Sequence, residues 1–209
     1  MITLILDTET TGISKEDKVI ELGYLEATTL LNELETLSEI GEDSYIDALN
    51  TDIVSERYFT SQPISQRAWE VHGIGMSSLY GCPKTETITI PEDTCYIIGH
   101  NISFDKRLLL QSNPELKDKL ESVRYICTLA LAKSISKFLN KDFENNQLNT
   151  LFTYYYPHLQ EAFVTTLHNA KNDVIKTLLL LIAISKELPA LETWEDIYNF
   201  QNAIKAKKK

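Results

Sequence analysis

The chain has 209 residues, 43% of them hydrophobic and 24% charged, and its 30 acids against 20 Lys and Arg leave a net charge of −10. That length buries an ordinary core in a single domain, and the composition excludes disordered and fibrous classes. The negative charge excludes strong nonspecific binding of nucleic acid over the whole surface, while a small footprint neutralised by metal ions stays compatible with it. The first apolar run, residues 2–6, predicts a buried parallel strand that delivers Asp7 and Glu9 at its end. A Thr-Gly turn at Thr11 and Gly12 leads to a second strand over 18–27. Residues 28–50 carry Leu30, Leu31, Leu34, Leu37 and Ile40 at near-helical spacing among acids, and read as an inserted amphipathic helix or long hairpin that Gly41 would end.

A returning strand is expected over 57–60, and Pro63 with Ser65 opens a helix through Trp69 and Val71 that stops before Gly73. Residues 95–98 form a short strand followed by a helix over 103–111. A strand at 125–127 precedes helices over 129–139 and 147–155. The last long helix starts near Asn169 or Asn172 and ends near Leu188, before Pro189. A meander followed by strand–helix units predicts an α/β fold with a mixed sheet and helices on both faces. Residues 1–188 then make the main domain, with an acidic insertion at about 28–50, and 189–209 a C-terminal helix and basic tail.

The longest apolar stretch, 178–184, falls far short of the roughly 18 residues that suggest a membrane span. The N-terminal residues lack a basic region followed by a long apolar segment, so a cytoplasmic protein without a signal peptide or membrane partner is expected. Cys82, Cys95 and Cys127 are odd in number and lack a CxxC pair, which predicts reduced core thiols.

The chemistry lies in four acids and a histidine. Asp7 and Glu9 stand two apart, so on a strand they project from one face and can grip one ion. The Thr10, Thr11 and Gly12 turn can bring backbone N–H groups close to a phosphate or sugar. Asp105 and Asp173 each fall in the first turns of a helix, where the dipole alone favours an acid; Ser103 would cap the first of these helices. His168 and Asp173 are five apart, about 140° around a helix, so His168 belongs to the preceding loop, outside the ligand shell. Taken singly, each residue has an ordinary structural account: a common D-x-E pair, helix-start acids, one histidine of four. Trp69, Trp194 and Tyr154–Tyr156 are expected to be packing residues.

Together they resemble the DEDDh, or DnaQ-like, family of 3′–5′ exonucleases. Its D-x-E motif is matched by Asp7 and Glu9, its H-N-x-x-F-D motif by His100, Asn101, Phe104 and Asp105, and its H-x-A-x-x-D motif by His168, Ala170 and Asp173. Val71, His72, Gly73 and Ile74 match the family's V-H-G-I element. Ile126, Cys127 and Thr128, then Leu131, Ala132 and Lys133, are similar to the exodeoxyribonuclease X subfamily.

The resemblance implies a ribonuclease H-like fold with a mixed five-stranded sheet. It implies hydrolysis of DNA from the 3′ end to nucleoside 5′-monophosphates, in DNA repair or degradation. Asp7, Glu9, Asp105 and Asp173 would hold two divalent cations, Mg2+ or Mn2+, and His168 would be the general base. Substrate contacts would come from Thr10, Thr11, Gly12, His72, Ile74, Asn101 and Phe104, although core packing accounts equally well for Ile74 and Phe104. Single-stranded DNA is the favoured partner, since an acidic insertion beside the cleft would repel a duplex; RNA and self-association as a homodimer stay open. The alternatives are a polymerase proofreading subunit, an RNA-trimming exoribonuclease, or a catalytically silent scaffold.

Overall fold

The structure is a computed structural model and describes residues 2–27, 29–163, 167–188 and 190–206. Residues 207–209 of the expected basic tail lie outside the described residues. Five strands form one mixed sheet in the order β3-β2-β1-β4-β5. β1 (Ile2–Thr10) pairs antiparallel with β2 (Val19–Ala27), which pairs antiparallel with β3 (Val54–Arg57). On its other side β1 pairs parallel with β4 (Thr94–Gly99), and β4 with β5 (Arg124–Cys127). This is the expected α/β architecture of the ribonuclease H-like kind.

Between β2 and β3, where a helix or long hairpin is expected, stand two helices, α1 (Leu30–Ile40) and α2 (Glu42–Asp52), hinged at Gly41 with φ +77°. α3 (Gln66–His72) is capped by Ser65, whose side chain accepts from Ala68 N, and ends on Gly73 in the left-handed region. α4 (Ile102–Ser112) follows β4, and α5 (Lys117–Ser122), which periodicity alone does not reveal, leads into β5. α6 (Thr128–Phe138), α7 (Leu148–Tyr155), α8 (Ala170–Glu187) and α9 (Trp194–Ala206) complete the chain. Asn169 caps α8 by accepting from Asn172 N.

Strand alternation divides the core into two faces. Ile5, Leu25, Ile98 and Ile126 pack with α1, α2, α6, α7 and α8; Leu4, Leu6, Leu22 and Ile97 pack with α4 and α5. The insertion contributes Leu30, Leu37, Tyr45, Ile46 and Leu49 to the first face, which is why it lies on α8 with most of its acids outward; Glu33 is buried and accepts from the Tyr45 hydroxyl. The third strand sits at Val54–Arg57, earlier than the expected 57–60, because Tyr24 pairs with Val54 and Glu21 with Arg57. The helix at 102–112 starts from Asn101 at φ +67° without a side-chain cap bond, so Ser103 does not cap it. Of the expected packing residues, Trp194 and Tyr156 are buried and Tyr154 packs edge-on against Phe143, whereas Trp69 is 54% exposed. Cys82, Cys95 and Cys127 are free thiols, each half-buried; of the three only Cys127 packs against a core face. Among the described residues no helix is long and apolar enough to cross a membrane.

Candidate active site

A cleft of about 260 Å3 opens at the end of β1, lined by that strand, α3, the start of α4 and the loop before α8. Asp7 and Glu9 share the sheet face of Ile5, so they point towards α8 and meet Asp173 in its first turn. Gly23 lies opposite Asp7 in the β1–β2 ladder, and a Cβ there would stand 2.8 Å from the Ala170 carbonyl carbon. Only glycine lets the N-terminus of α8 come that close to the sheet. Thr8, one residue on, points to the opposite face and donates to Asp105 Oδ1 on α4 at 2.8 Å. The pleat thus lets one strand address acids on both helical layers.

The acids are crowded and buried. Burial first, then the charges of Asp173, Asp105, Glu9 and Glu21, raise the Asp7 carboxyl well above its ordinary range. Burial and the charge of Asp173 push Glu9 up to about 8, and burial pushes Asp105 up to about 7 against the lowering bond from Thr8. Asp173 behaves differently: burial would raise it, yet His168 and Lys176 outweigh burial and hold it low. His168 Nδ1 stands 3.1 Å from Asp173 Oδ2, and Lys176 Nζ donates to Asp173 Oδ1 at 3.1 Å. His168 does sit in the loop before α8, but its ring rests on Asp173, where the spacing argument set it apart from the ligands. The loop brings the ring back over the helix start, because His168 N donates to Val71 O on α3. Its hydrogen bond to the Asp173 carboxylate raises the histidine's pKa above the ordinary value.

Thr10 and Gly12 line the cleft, as do His72, His100 and Phe104. His72 is buried, with Nε2 3.1 Å from Thr10 O and Nδ1 accepting from Ile74 N; burial lowers its pKa, so the ring is neutral. Thr11 is fully buried and bonds Asp17, and Ile74 packs with Ile20 and Leu79, so neither side chain opens onto the cleft. Asn101 faces the neighbouring hollow beside Lys106 and Lys133. No described residue of α1 or α2 lines the cleft itself, although the insertion reaches the start of α8, where Lys171 donates to Asn50 O.

Three residues here carry no motif. Glu21 is buried opposite Glu9 in the ladder and accepts from Arg57 Nε at 3.0 Å. Strand register against Glu9 is the signal that could have found it. Arg67 brings an exposed cation to the cleft wall. Lys176 is the single charged residue between Asp173 and Lys186 of α8, and that isolation marks it.

Among the described residues no three His, Cys, Asp or Glu side chains are gathered tightly enough to enclose an ion. Asp173 and Asp105 are turned to protein partners, as mutual repulsion of the acids favours. The donor set nevertheless fits a hard divalent cation: oxygen ligands only, raised carboxyl pKa values, and a buried Glu9 Oε1 with no hydrogen-bond partner.

No protein-family model and no curated protein sequence matches the chain. Among solved structures it is similar to exonuclease X in complex with 5′-overhanging duplex DNA, at 19% identity and TM-score 0.54, over 93% of this chain and 99% of that one. It is also similar to zinc-bound E. coli exonuclease I with single-stranded DNA, at 16% identity and TM-score 0.64, over 91% of this chain and 41% of that one. Exonuclease I of E. coli with a dT13 oligonucleotide aligns at 16% identity and TM-score 0.62, over 91% of this chain and 42% of that one. The chain therefore spans under half of exonuclease I and nearly all of exonuclease X. At these identities the likeness is one of fold: this chain has the mixed α/β fold of those exonucleases.

Proposed function

We propose that the chain is a metal-dependent 3′–5′ exonuclease that removes nucleoside 5′-monophosphates from DNA. The observation that carries this reading is the convergence of Asp7, Glu9, Asp105 and Asp173 on one cleft, with a half-exposed histidine bonded to one of them. Asp7, Glu9 and Asp173 would hold one Mg2+ or Mn2+, and Asp7 with Asp105 a second. Held there, such ions would supply activation of water at neutral pH and neutralisation of the charge that builds on the scissile phosphate and the departing 3′-oxygen.

The chain's own residues do the rest. Without metal, His168 donates through Nδ1 to Oδ2 of the ionised Asp173; once that oxygen takes a cation the ring would be released, and as a neutral imidazole it would take the proton of the attacking water. Phe104 offers a ring to a base, and Thr10 and Gly12 offer backbone at the cleft floor. His72, pinned at both nitrogens, ties that floor to α3 and keeps the cleft width fixed.

The test is a digestion panel of single-stranded DNA, 5′-overhanging duplex and RNA, labelled at either end, with Mg2+ and with EDTA. The expected result is Mg2+-dependent release of mononucleotides from 3′-labelled DNA. Release from the 5′ end first, or equal activity in EDTA, overturns the reading; faster digestion of RNA would transfer it to an exoribonuclease.

A further inference from the structure

Buried ammonium groups are costly, and a chain keeps one only where it is well paired. Lys176 is 5% exposed, and Val174, Ile175, Thr177 and Leu178 around it on α8 are all buried. Its Nζ donates to Asn149 Oδ1 on α7 at 2.8 Å and to Asp173 Oδ1 at 3.1 Å. Asp173 lies one turn earlier on the same helix, and His168, at its other oxygen, has a side chain that is 49% exposed. The two partners of Asp173 are therefore unequal. His168 stands on a loop at the rim and can leave; Lys176 is enclosed and held from a second helix.

We infer that Lys176 is a positioning residue that commits Oδ1 of Asp173 to the protein and so fixes Oδ2 as the oxygen presented to a divalent cation. This rests on the nuclease reading of the cleft. Lys176 touches neither substrate nor ion; it acts through Asp173, and Asn149 acts through Lys176. Four acids meet at this cleft, and among the described residues Lys176 is the one lysine or arginine in an ion pair with any of them. Without it, Asp173 is free to rotate away from its crowded neighbours, so its orientation would have to be fixed at the moment of binding.

The experiment is isothermal titration calorimetry with Mn2+ on the full chain, alongside circular dichroism and oligonucleotide kinetics, for wild type, Lys176→Met, Lys176→Gln and Asn149→Ala. Losing a group that orients a ligand costs roughly 10–100-fold in metal affinity. Lys176→Met should fall in that range, with a lower kcat and an unchanged KM for the oligonucleotide. Lys176→Gln should recover part of the affinity, because an amide N–H still donates to Oδ1. Asn149→Ala, at an exposed position, should stay folded and weaken Mn2+ in the same direction by a smaller factor. A packing role alone would move the melting temperature and leave Mn2+ affinity unchanged; that result, or tighter Mn2+ binding in Lys176→Met, overturns the inference. Should Lys176→Met fail to fold, unchanged affinity in Asn149→Ala overturns it equally. Wild type that neither binds Mn2+ nor digests DNA removes the nuclease reading and this one with it.

Discussion

Glu21 faces Glu9 directly across the β1–β2 ladder, and the guanidinium of Arg57 on β3 holds Glu21 in place. Two acids opposed on neighbouring strands repel unless one is compensated. Arg57→Ala should therefore destabilise the protein by about 1–2 kcal/mol, the range for a hydrogen bond to a charged group discounted for the exposure of the arginine. Adding Glu21→Gln should recover most of the loss. Urea melts of both variants check this, and an equal loss in the double variant would count against it.

Protonation links stability and activity with opposite signs. Glu9 at about 8 and Asp105 at about 7 bind protons in the folded state that the unfolded chain has released, so metal-free stability falls as pH rises from about 5 to 8. His168, raised by Asp173, adds to the same trend: its contribution is fully present below its unfolded pKa and is lost through its folded one. Thermal melts at pH 5 and pH 8 should show the higher temperature at pH 5, each 1 kcal/mol being worth about 2–4 °C at this size. Mn2+ should raise the melting temperature more at pH 8, where the acids are ionised.

Turnover should run the other way. As the proposed base, His168 works only when neutral, and in the metal-free protein its hydrogen bond to Asp173 raises its pKa. kcat/KM measured at saturating Mg2+ should climb with pH through about 6.5, the ordinary histidine range. A profile already flat at pH 6 would remove His168 from the proton transfer.

Asp7→Asn should lower digestion by roughly 100-fold or more, equivalent to about 2.7 kcal/mol of barrier. The same change relieves a buried acid surrounded by Asp173, Asp105 and Glu9, so the metal-free variant should melt higher than wild type. Activity and stability measured on one preparation separate this from simple misfolding, which would lower both.

Gly73→Ala tests the loop that carries the histidine. Gly73 has φ +69°, and a Cβ there would lie 2.5 Å from Leu167 Cδ1, next to His168. The left-handed backbone alone costs a residue with a side chain about 1–2 kcal/mol. Displacing Leu167 also disturbs the bond from His168 N to Val71 O. Turnover should fall more than Mn2+ affinity does.

The sequence makes plain those features that depend on near neighbours. The apolar run ahead of Asp7, Ser65 before α3, Gly41 and Gly73 after their helices, and the long apolar stretch of α8 are all local signals, and the elements they predict are present. α5, with the sequence KDKLES, buries little more than Leu120 and has no period to detect. Contacts across the chain stay hidden for another reason. Glu21 joins the acids through strand register, His168 reaches Asp173 through a loop tied to α3, and Lys176 is fixed by Asn149, 27 residues away. Spacing along a helix could separate His168 from Asp173 and still miss that a loop returns one to the other.

Gly23 has a wider consequence. Because α8 rests on bare backbone at that point, the gap between the two walls of the cleft is set by atoms in van der Waals contact, on folding, before anything enters. The empty and the occupied protein should then share one backbone, and filling the cleft becomes a matter of turning side chains. Any larger residue at position 23 would act as a spacer, prising the wall that carries Asp173 away from the one that carries Asp7.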